Sequence, residues 1–420
     1  MNKDKLESIL FNVVKNEDNR AKRDEPFDYG FINHGQTVLL NEEVLTSISE
    51  CIDIIRDYEY FQQYWSYHEI EELVKDIISE GFSLDINDRE NYITIRIGSL
   101  KEEMKEEIKE FIIQVPIYNL KIEDEITFGE VKFFIFDEEK QKSFLEKYND
   151  EKILFYTEPN LNNTMAEIKT KGTRYYAFYS AISTINLTIN CLKLFLPKNE
   201  SKFKVKGTIN ESTDLSYFIF DNDDEDYIFL NRKYVNVFYE TEINNSLLNI
   251  EELKFIDNLL NKKTTPFEDS LLVAISFYGE SLSSYNEEEK YLTYKKSKSK
   301  VKNYEYYNLS SIIIKLFSSL ESILVFDSNE PITENLSDRV ALLLGNDYNS
   351  RIKIKRDIKS LYGLRSKHVH EANSFIGKDD LEKLINYTMN VLIKIINLMN
   401  KEGIDSPDKL REYFNRIKFD

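Results

Sequence analysis

The chain is poor in the residue types on which several large protein classes depend. Of its 420 residues, 12 are glycine, about half the usual share, so the glycine-rich loops of nucleotide-binding folds have little material. Its two cysteines, Cys51 and Cys191, exclude a disulfide framework and a cysteine-based zinc site, which favours a reducing compartment. Histidine chemistry is limited to His34, His68, His368 and His370.

Acidic side chains are abundant by contrast. The chain has 74 Asp and Glu against 55 Lys and Arg, a net charge of −19, which argues against general coating of nucleic acid. The acidity is uneven, because residues 1–260 hold 30 basic and 51 acidic side chains while residues 261–420 hold 25 and 23. Residues 351–370 alone carry seven Lys or Arg and one acid, so a local RNA site stays open.

Two segments bear on location. The first 20 residues lack the continuous apolar run of a signal peptide. Residues 175–196 are long enough to span a bilayer, but Ser, Thr and Asn recur through them, which favours a buried helix. We therefore expect a cytoplasmic protein without a membrane partner.

The fold class that the pattern predicts is α+β. Residues 1–260 mix helical and strand periodicities, which predicts an α/β region that is either one unit or two subdomains with a boundary near residue 115. Helices are predicted at 41–60, 101–111 and 175–196, and strands at 91–97, 115–136, 217–220 and 227–230.

Residues 261–420 predict an all-α bundle. The first helix begins with a capping box, in which Thr265 is the N-cap, Pro266 opens the helix and Glu268 is the acid three residues on. A Lys/Ser-rich loop is expected at 291–302 and an interruption near Gly363. Apolar positions at helical spacing place the other helices at 309–326, 337–344, 352–370 and 379–400.

Several patterns suggest sites but carry little weight. Residues 30–37 have P-loop spacing, but Gln36 replaces the phosphate-binding Lys, so a turn is the better interpretation. The acidic residues 221–226 suit a divalent cation but lack the glycine of a calcium loop, which favours a solvated loop. His34 and His68 have no evident partners, and we expect no metal or other cofactor.

The remaining pattern is Arg365-Ser-Lys-His-Val-His370. Such Arg-to-His spacings arise by chance about 0.4 times in a chain of this composition, so the surrounding residues decide. Residues 361–370, LYGLRSKHVH, resemble the signature of the Apea-like branch of the HEPN superfamily, approximately L-Y-x-x-R-S-x-x-x-H. The helix with Leu320-Glu321 resembles the family's Leu-Glu helix, and residues 339–344 resemble its short second helix.

The resemblance covers about residues 265–400 and departs from the pattern in the extra His368 and in Glu371. It implies a HEPN bundle, and residues 1–260 would then be a sensing or regulatory region. Family members with this motif commonly act as metal-independent endoribonucleases in phage defence or toxin systems. We accordingly predict that Arg365 and His370 are catalytic.

The chemistry of the motif agrees with that role. His370 can move the proton of the RNA 2′-hydroxyl or of the leaving 5′-oxygen, and Arg365 can bind the scissile phosphate. Because one Arg and one His are few for this reaction, we expect a homodimer that joins two pairs around one phosphate. Such an enzyme yields 2′,3′-cyclic phosphate ends in the presence of EDTA.

Further residues are predicted to assist. Ser366 would orient substrate or His370, Glu321 would fix Arg365 or else be an ordinary helix acid, Tyr362 would pack or stack on a base, and His368 is an alternative catalytic residue. The expected RNA-binding side chains, besides lysines between 290 and 302, are Arg356, Lys359 and Lys367.

The function predicted is a conditionally activated RNA endonuclease, with tRNA the favoured substrate and a phage-derived or protein trigger acting through residues 1–260. The alternative is a catalytically silent HEPN module that serves as a dimerisation, nucleotide-binding or RNA-binding scaffold. A third interpretation, an N-terminal enzyme with the bundle as an appendage, lacks a supporting motif.

Overall fold

A computed structural model describes the chain except for residues 21–29, 34–35, 149–156, 198–203, 206–216, 222–226, 231–240, 244, 297–306, 328, 372–376 and 420. The chain divides into two compact units. The first consists of Met1–Ile113, Lys169–Ala181 and Phe218–Ile228, and the second of Gln114–Ile168, Ile182–Tyr217 and Phe229–Asp420.

The first unit is built on helices around an aliphatic core. Asn2, Asn41 and Ser66 cap three of them with their side chains, and Ser66 forms a full capping box with Glu69. The helices are α1 (Lys3–Lys15), α2 (Glu42–Arg56), α3 (Glu59–Gln62), α4 (Tyr67–Ser83) and α5 (Arg89–Glu106), and an antiparallel hairpin joins β1 (Gly30–Asn33) to β2 (Gln36–Leu39).

The predicted strand at residues 91–97 is wrong, because these residues belong to α5. The alternation of Ile with polar residues is strand-like, but Ile93 and Ile97 are also four residues apart, as one helix face requires. Both are buried with Leu100, whereas Ile95 is 63% exposed. The helix predicted at 101–111 also ends earlier, since β3 begins at Lys109.

A larger sheet follows, with the order β10-β9-β3-β7-β6-β5 and with β8 paired to β3. The strands predicted at 115–136, 217–220 and 227–230 are confirmed, as is the helix at 175–196. The strands are β3 (Lys109–Tyr118), β4 (Leu120–Ile122), β5 (Ile126–Phe128), β6 (Val131–Ile135), β7 (Thr164–Gly172), β8 (Lys204–Val205), β9 (Tyr217–Asp221), β10 (Tyr227–Leu230) and β11 (Thr241–Ile243), with helices α6 (Glu138–Tyr148) and α7 (Arg174–Lys193).

Within the second unit, the strand registers place buried apolar side chains opposite one another. β5, β6 and β7 are antiparallel, with Phe133 opposite both Ile126 and Ala166, so one buried aromatic ring has apolar partners on each side. A separate pair joins β11 to β4 in parallel.

From residue 245 onward, the described residues with regular secondary structure are all helical. The predicted capping box is confirmed, since the Thr265 amide donates to Glu268 at 2.8 Å and the Glu268 amide donates to the Thr265 hydroxyl at 3.3 Å. The helices are α8 (Asn245–Leu248), α9 (Glu251–Leu260), α10 (Pro266–Lys296), α11 (Tyr307–Leu324), α12 (Ile332–Leu344), α13 (Tyr348–Glu371), α14 (Lys378–Glu402) and α15 (Pro407–Phe419).

Packing of these helices centres on α14. It contacts α10, α11, α12 and α13, while α10 pairs with α11 and α12 pairs with α13. Its buried residues include Leu384, Val391, Leu392 and Ile395, one apolar face at helical spacing. Gly403, in the left-handed region at φ 65°, ends this helix.

Two predictions about interruptions are wrong. The loop expected at 291–302 is helical as far as Lys296, because Lys, Tyr and Leu are adequate helix formers, and residues 297–302 lie outside the described part. No break occurs at Gly363, since α13 is continuous and Leu361 and Tyr362 anchor it in the core. The last helix, α15, was not predicted.

The coarse fold class, α+β, is confirmed. No helix among the described residues combines the length and hydropathy needed to cross a membrane. The functional boundary at residue 260 is not tested by the compact units and stays a prediction.

Candidate active site

Arg365 is held between α11 and α13 by two side chains. Its Nη1 donates to the Tyr362 hydroxyl at 3.2 Å, and its Nη2 lies 3.6 Å from Oε2 of Glu321. The Tyr362 hydroxyl in turn donates to Oε1 of Glu321 at 2.9 Å. The three side chains therefore form a closed network, and the expected contact between Glu321 and Arg365 is present as an ion pair.

Burial sets the electrostatics of this network. Loss of solvent, and then the hydrogen bond to the Glu321 carboxylate, raise the pKa of Tyr362 to about 12, so the phenol stays protonated and remains a donor to Glu321. The guanidinium carbon of Arg365 also lies 5.1 Å from the centre of the Tyr362 ring. The Arg365 side chain keeps 26% of its surface exposed, so part of the cation can reach a ligand.

One donor of Arg365 has no partner. Its Nε is buried and makes no hydrogen bond. Of the terminal nitrogens, Nη1 makes the hydrogen bond to Tyr362 and Nη2 makes the ion pair with Glu321.

The supports of Glu321 and Tyr362 lie in the bundle core. The Phe317 ring, one turn before Glu321, meets the Tyr362 ring edge-on at 4.9 Å between centroids. The Ser319 hydroxyl donates to the Ala274 carbonyl at 2.6 Å, which fixes α11 against α10. These contacts fix the position of Glu321 relative to α13.

Arg339, in the segment that resembles the family's second helix, anchors α12 to the end of α11. Its guanidinium forms a bidentate pair with Glu330, at 2.6 and 2.8 Å, and its carbon lies 4.1 Å from the Phe326 ring centre. Both partners of this ion pair are largely buried. Arg339 is therefore a structural arginine, unlike the partly exposed Arg365.

The remaining motif residues lie on the last turns of α13. Ser366 is half-buried, and Lys367 is exposed. His368 and His370 belong to the same continuous helix, but their side chains lie outside the described part of the structure. Their catalytic roles, like that of Arg365, stay predictions.

The predicted RNA-binding cations differ in their surroundings. Arg356 is exposed, and no ion pair within the described residues involves it. Lys359 forms an ion pair with Glu334, which also pairs with Lys355 at 2.7 Å. Hydrogen bonds from these two ammonium groups lower the pKa of Glu334 to about 2. Whether Lys359 contacts RNA stays a prediction.

Sequence reasoning missed this pairing of α12 with α13. The signal was present, since Glu334 and Asp338 are four residues apart and Lys355 and Lys359 are also four apart. Asp338 pairs with Lys355 as the spacing allows. Two matched i,i+4 pairs on neighbouring helices favour an ion-pair ladder.

The weaker candidates form no site among the described residues. Gly30–Asn33 and Gln36–Leu39 pair as antiparallel strands, and residues 34–35, with His34 and the expected turn, lie outside the described part. His68 is exposed on α4, and residues 222–226 lie outside the described part. No three His, Cys, Asp or Glu side chains cluster as metal ligands in the ranges that the structure describes.

Comparison of the chain with protein-family models, curated proteins and solved structures gives no match.

Proposed function

We propose that the chain is a HEPN-type endoribonuclease that cleaves RNA without a metal ion. The observation that supports this most is the held but partly exposed Arg365, with Glu321 and Tyr362 around it. Preorganised cations of this kind stabilise charge that develops on a phosphate in the transition state. The same helix continues through position 370, so the Arg and the His of the motif share one rigid element.

The reaction follows from the two side chains. His370 accepts the proton of the 2′-hydroxyl, whose oxygen attacks the neighbouring phosphorus. The bond from phosphorus to the 5′-oxygen breaks, and the leaving oxygen takes a proton from a second histidine. Arg365 binds the non-bridging oxygens through its guanidinium group. The products are a 2′,3′-cyclic phosphate and a 5′-hydroxyl.

The need for two histidines is the reason to propose a homodimer. A two-fold axis near the C-terminal turns of α13 would supply Arg365 and His370 from each protomer. The substrate we favour is tRNA. Residues 1–260 would respond to a phage-derived or protein trigger, because an unrestrained ribonuclease harms its own cell.

A second candidate function is a catalytically silent HEPN scaffold. The ion pair of Arg365 with Glu321 favours it, since this pair also joins α11 to α13 as a purely structural arginine would. The two candidates differ in one observable, RNA cleavage.

The test uses purified full-length protein with total tRNA and with a labelled mRNA, in EDTA, with and without phage lysate. Cleavage with cyclic phosphate ends, absent in His370→Ala, supports the nuclease. Ends that carry a 3′-hydroxyl, or loss of activity in EDTA, contradict it. An absence of cleavage under every condition favours the scaffold.

A further inference from the structure

One face of α13 carries cations that the protein itself does not engage. Lys353, Arg356 and Lys367 are exposed, and no ion pair of the described residues involves any of them. At 3.6 residues per turn the three lie within roughly 60° around the helix axis, and they extend along about 21 Å of it. They therefore define a continuous cationic stripe.

The other described cations of α13 are held by protein groups. Arg351 donates to the Gly345 carbonyl at 3.1 Å and to the Ile417 carbonyl at 3.3 Å. Lys355 and Lys359 pair with acids of α12, and Arg365 pairs with Glu321. The helix thus separates structural cations from the three of the stripe.

The acids that flank the stripe are also engaged. On the α12 side, Glu334 and Asp338 face the paired lysines. On the α14 side, Asp357 accepts from the Tyr387 hydroxyl at 2.9 Å and lies 3.9 Å from Nζ of Lys383. The positive potential of the stripe is therefore little opposed by its neighbours.

Gly363 lies beside the stripe, about 20° around the helix axis from Arg356. It has open space where a side chain would be, so a ligand can approach the helix backbone closely.

We propose that the stripe of Lys353, Arg356 and Lys367 binds the backbone of single-stranded RNA, on the side of α13 that faces away from Arg365. This inference rests on the proposed function for the choice of RNA as the polyanion. A stripe that carries only cations complements a polyanion better than it complements a second copy of the same face, which would repel it.

The experiment measures binding of a fluorescent single-stranded RNA whose 2′-hydroxyls are methylated, so that cleavage cannot interfere. The variant K353Q/R356Q/K367Q is compared with K254Q/K263Q/K418Q, which removes three exposed lysines elsewhere: one on α9, one between α9 and α10, and one on α15. None of the three has an ion pair among the described residues. We expect the stripe variant to lose at least about tenfold in affinity for the RNA. The slope of log affinity against log salt concentration should become shallower by about 2. The control should stay within about twofold.

Failure of the stripe and failure of the nuclease are separable. If the stripe and control variants bind RNA with equal affinity, the proposal that the stripe binds RNA is wrong, whether or not the wild type cleaves RNA. RNA binding that depends on the stripe, without any cleavage, supports the stripe as an RNA-binding surface and contradicts the nuclease. A wild-type dimer that becomes monomeric in K353Q/R356Q/K367Q, by light scattering, shows instead a contact between copies and overturns RNA binding.

Discussion

The hydroxyl of Tyr362 donates to the Glu321 carboxylate at 2.9 Å while it accepts from Arg365 at 3.2 Å. One phenol thus bridges an acid and a base that are themselves only 3.6 Å apart. Because the phenol cannot ionise near neutral pH, the bridge keeps one polarity. This fixes which atoms of Arg365 turn toward the protein.

Tyr362→Phe should therefore reduce RNA cleavage several-fold and destabilise the protein by about 1 kcal/mol, the usual net value of one hydrogen bond. The matched control is Tyr387→Phe, whose hydroxyl donates to Asp357 at the same 2.9 Å but has no contact with Arg365. The control should show a similar stability loss, measured by urea unfolding, with normal cleavage. Equal effects of both variants on cleavage would argue that Tyr362 acts only through stability.

His370→Ala should abolish cleavage and leave the fold and oligomeric state intact, because a general base or acid contributes at least about 100-fold to rate. Circular dichroism and light scattering check the fold and the assembly. His68→Ala, at an exposed position on α4, is the control and should cleave normally. Full activity of His370→Ala would transfer the role to another group, with His368 the first to test.

The pairing of Glu334 with Lys355 and Lys359 should make stability depend on acid pH. The folded-state pKa, about 2, is below the ordinary value of 4.5, so the contribution is present above about pH 4.5 and is lost as pH falls toward 2. Glu334→Gln should therefore be less stable than wild type at pH 7 and equal to it near pH 2. A stability difference that does not change with pH would contradict the ion-pair ladder.

The helical assignment of residues 89–106 can be tested by two isoleucines. Ile97 is fully buried and Ile95 is 63% exposed, although strand alternation would place both on one face. Ile97→Ala should destabilise the protein by about 2–4 kcal/mol and Ile95→Ala by less than about 0.5 kcal/mol. Equal losses in urea unfolding would favour the strand.

Gly363→Ala should stabilise α13. The position is helical and a methyl group there meets no atom within 4 Å, so the gain should be about 0.5–1 kcal/mol from reduced freedom of the unfolded chain. Thermal unfolding measures it. A loss of stability would indicate that the added methyl group is not tolerated at this position.

Much of the fold was accessible from the sequence. The capping box at Thr265 and Glu268 and the apolar stripe of α11 depend on local chemistry and on helical spacing, and both are confirmed. The errors came where local signals conflict. The isoleucines at positions 93, 95 and 97 fit the period of two of a strand, and Ile93 and Ile97 also fit the spacing of four on one helix face. Only packing against the rest of the first unit selects the helix.

For the candidate site, the sequence by itself determined which residues are proposed to carry the chemistry, because Arg365, Ser366 and His370 stand at a motif's spacing on one strongly basic segment. Tertiary structure alone decided which cations are engaged and which are exposed. Glu321 and Tyr362 are 41 residues apart, and Glu334 meets Lys359 across two helices. Such pairings depend on how helices pack, a long-range property that neither residue type nor local spacing specifies.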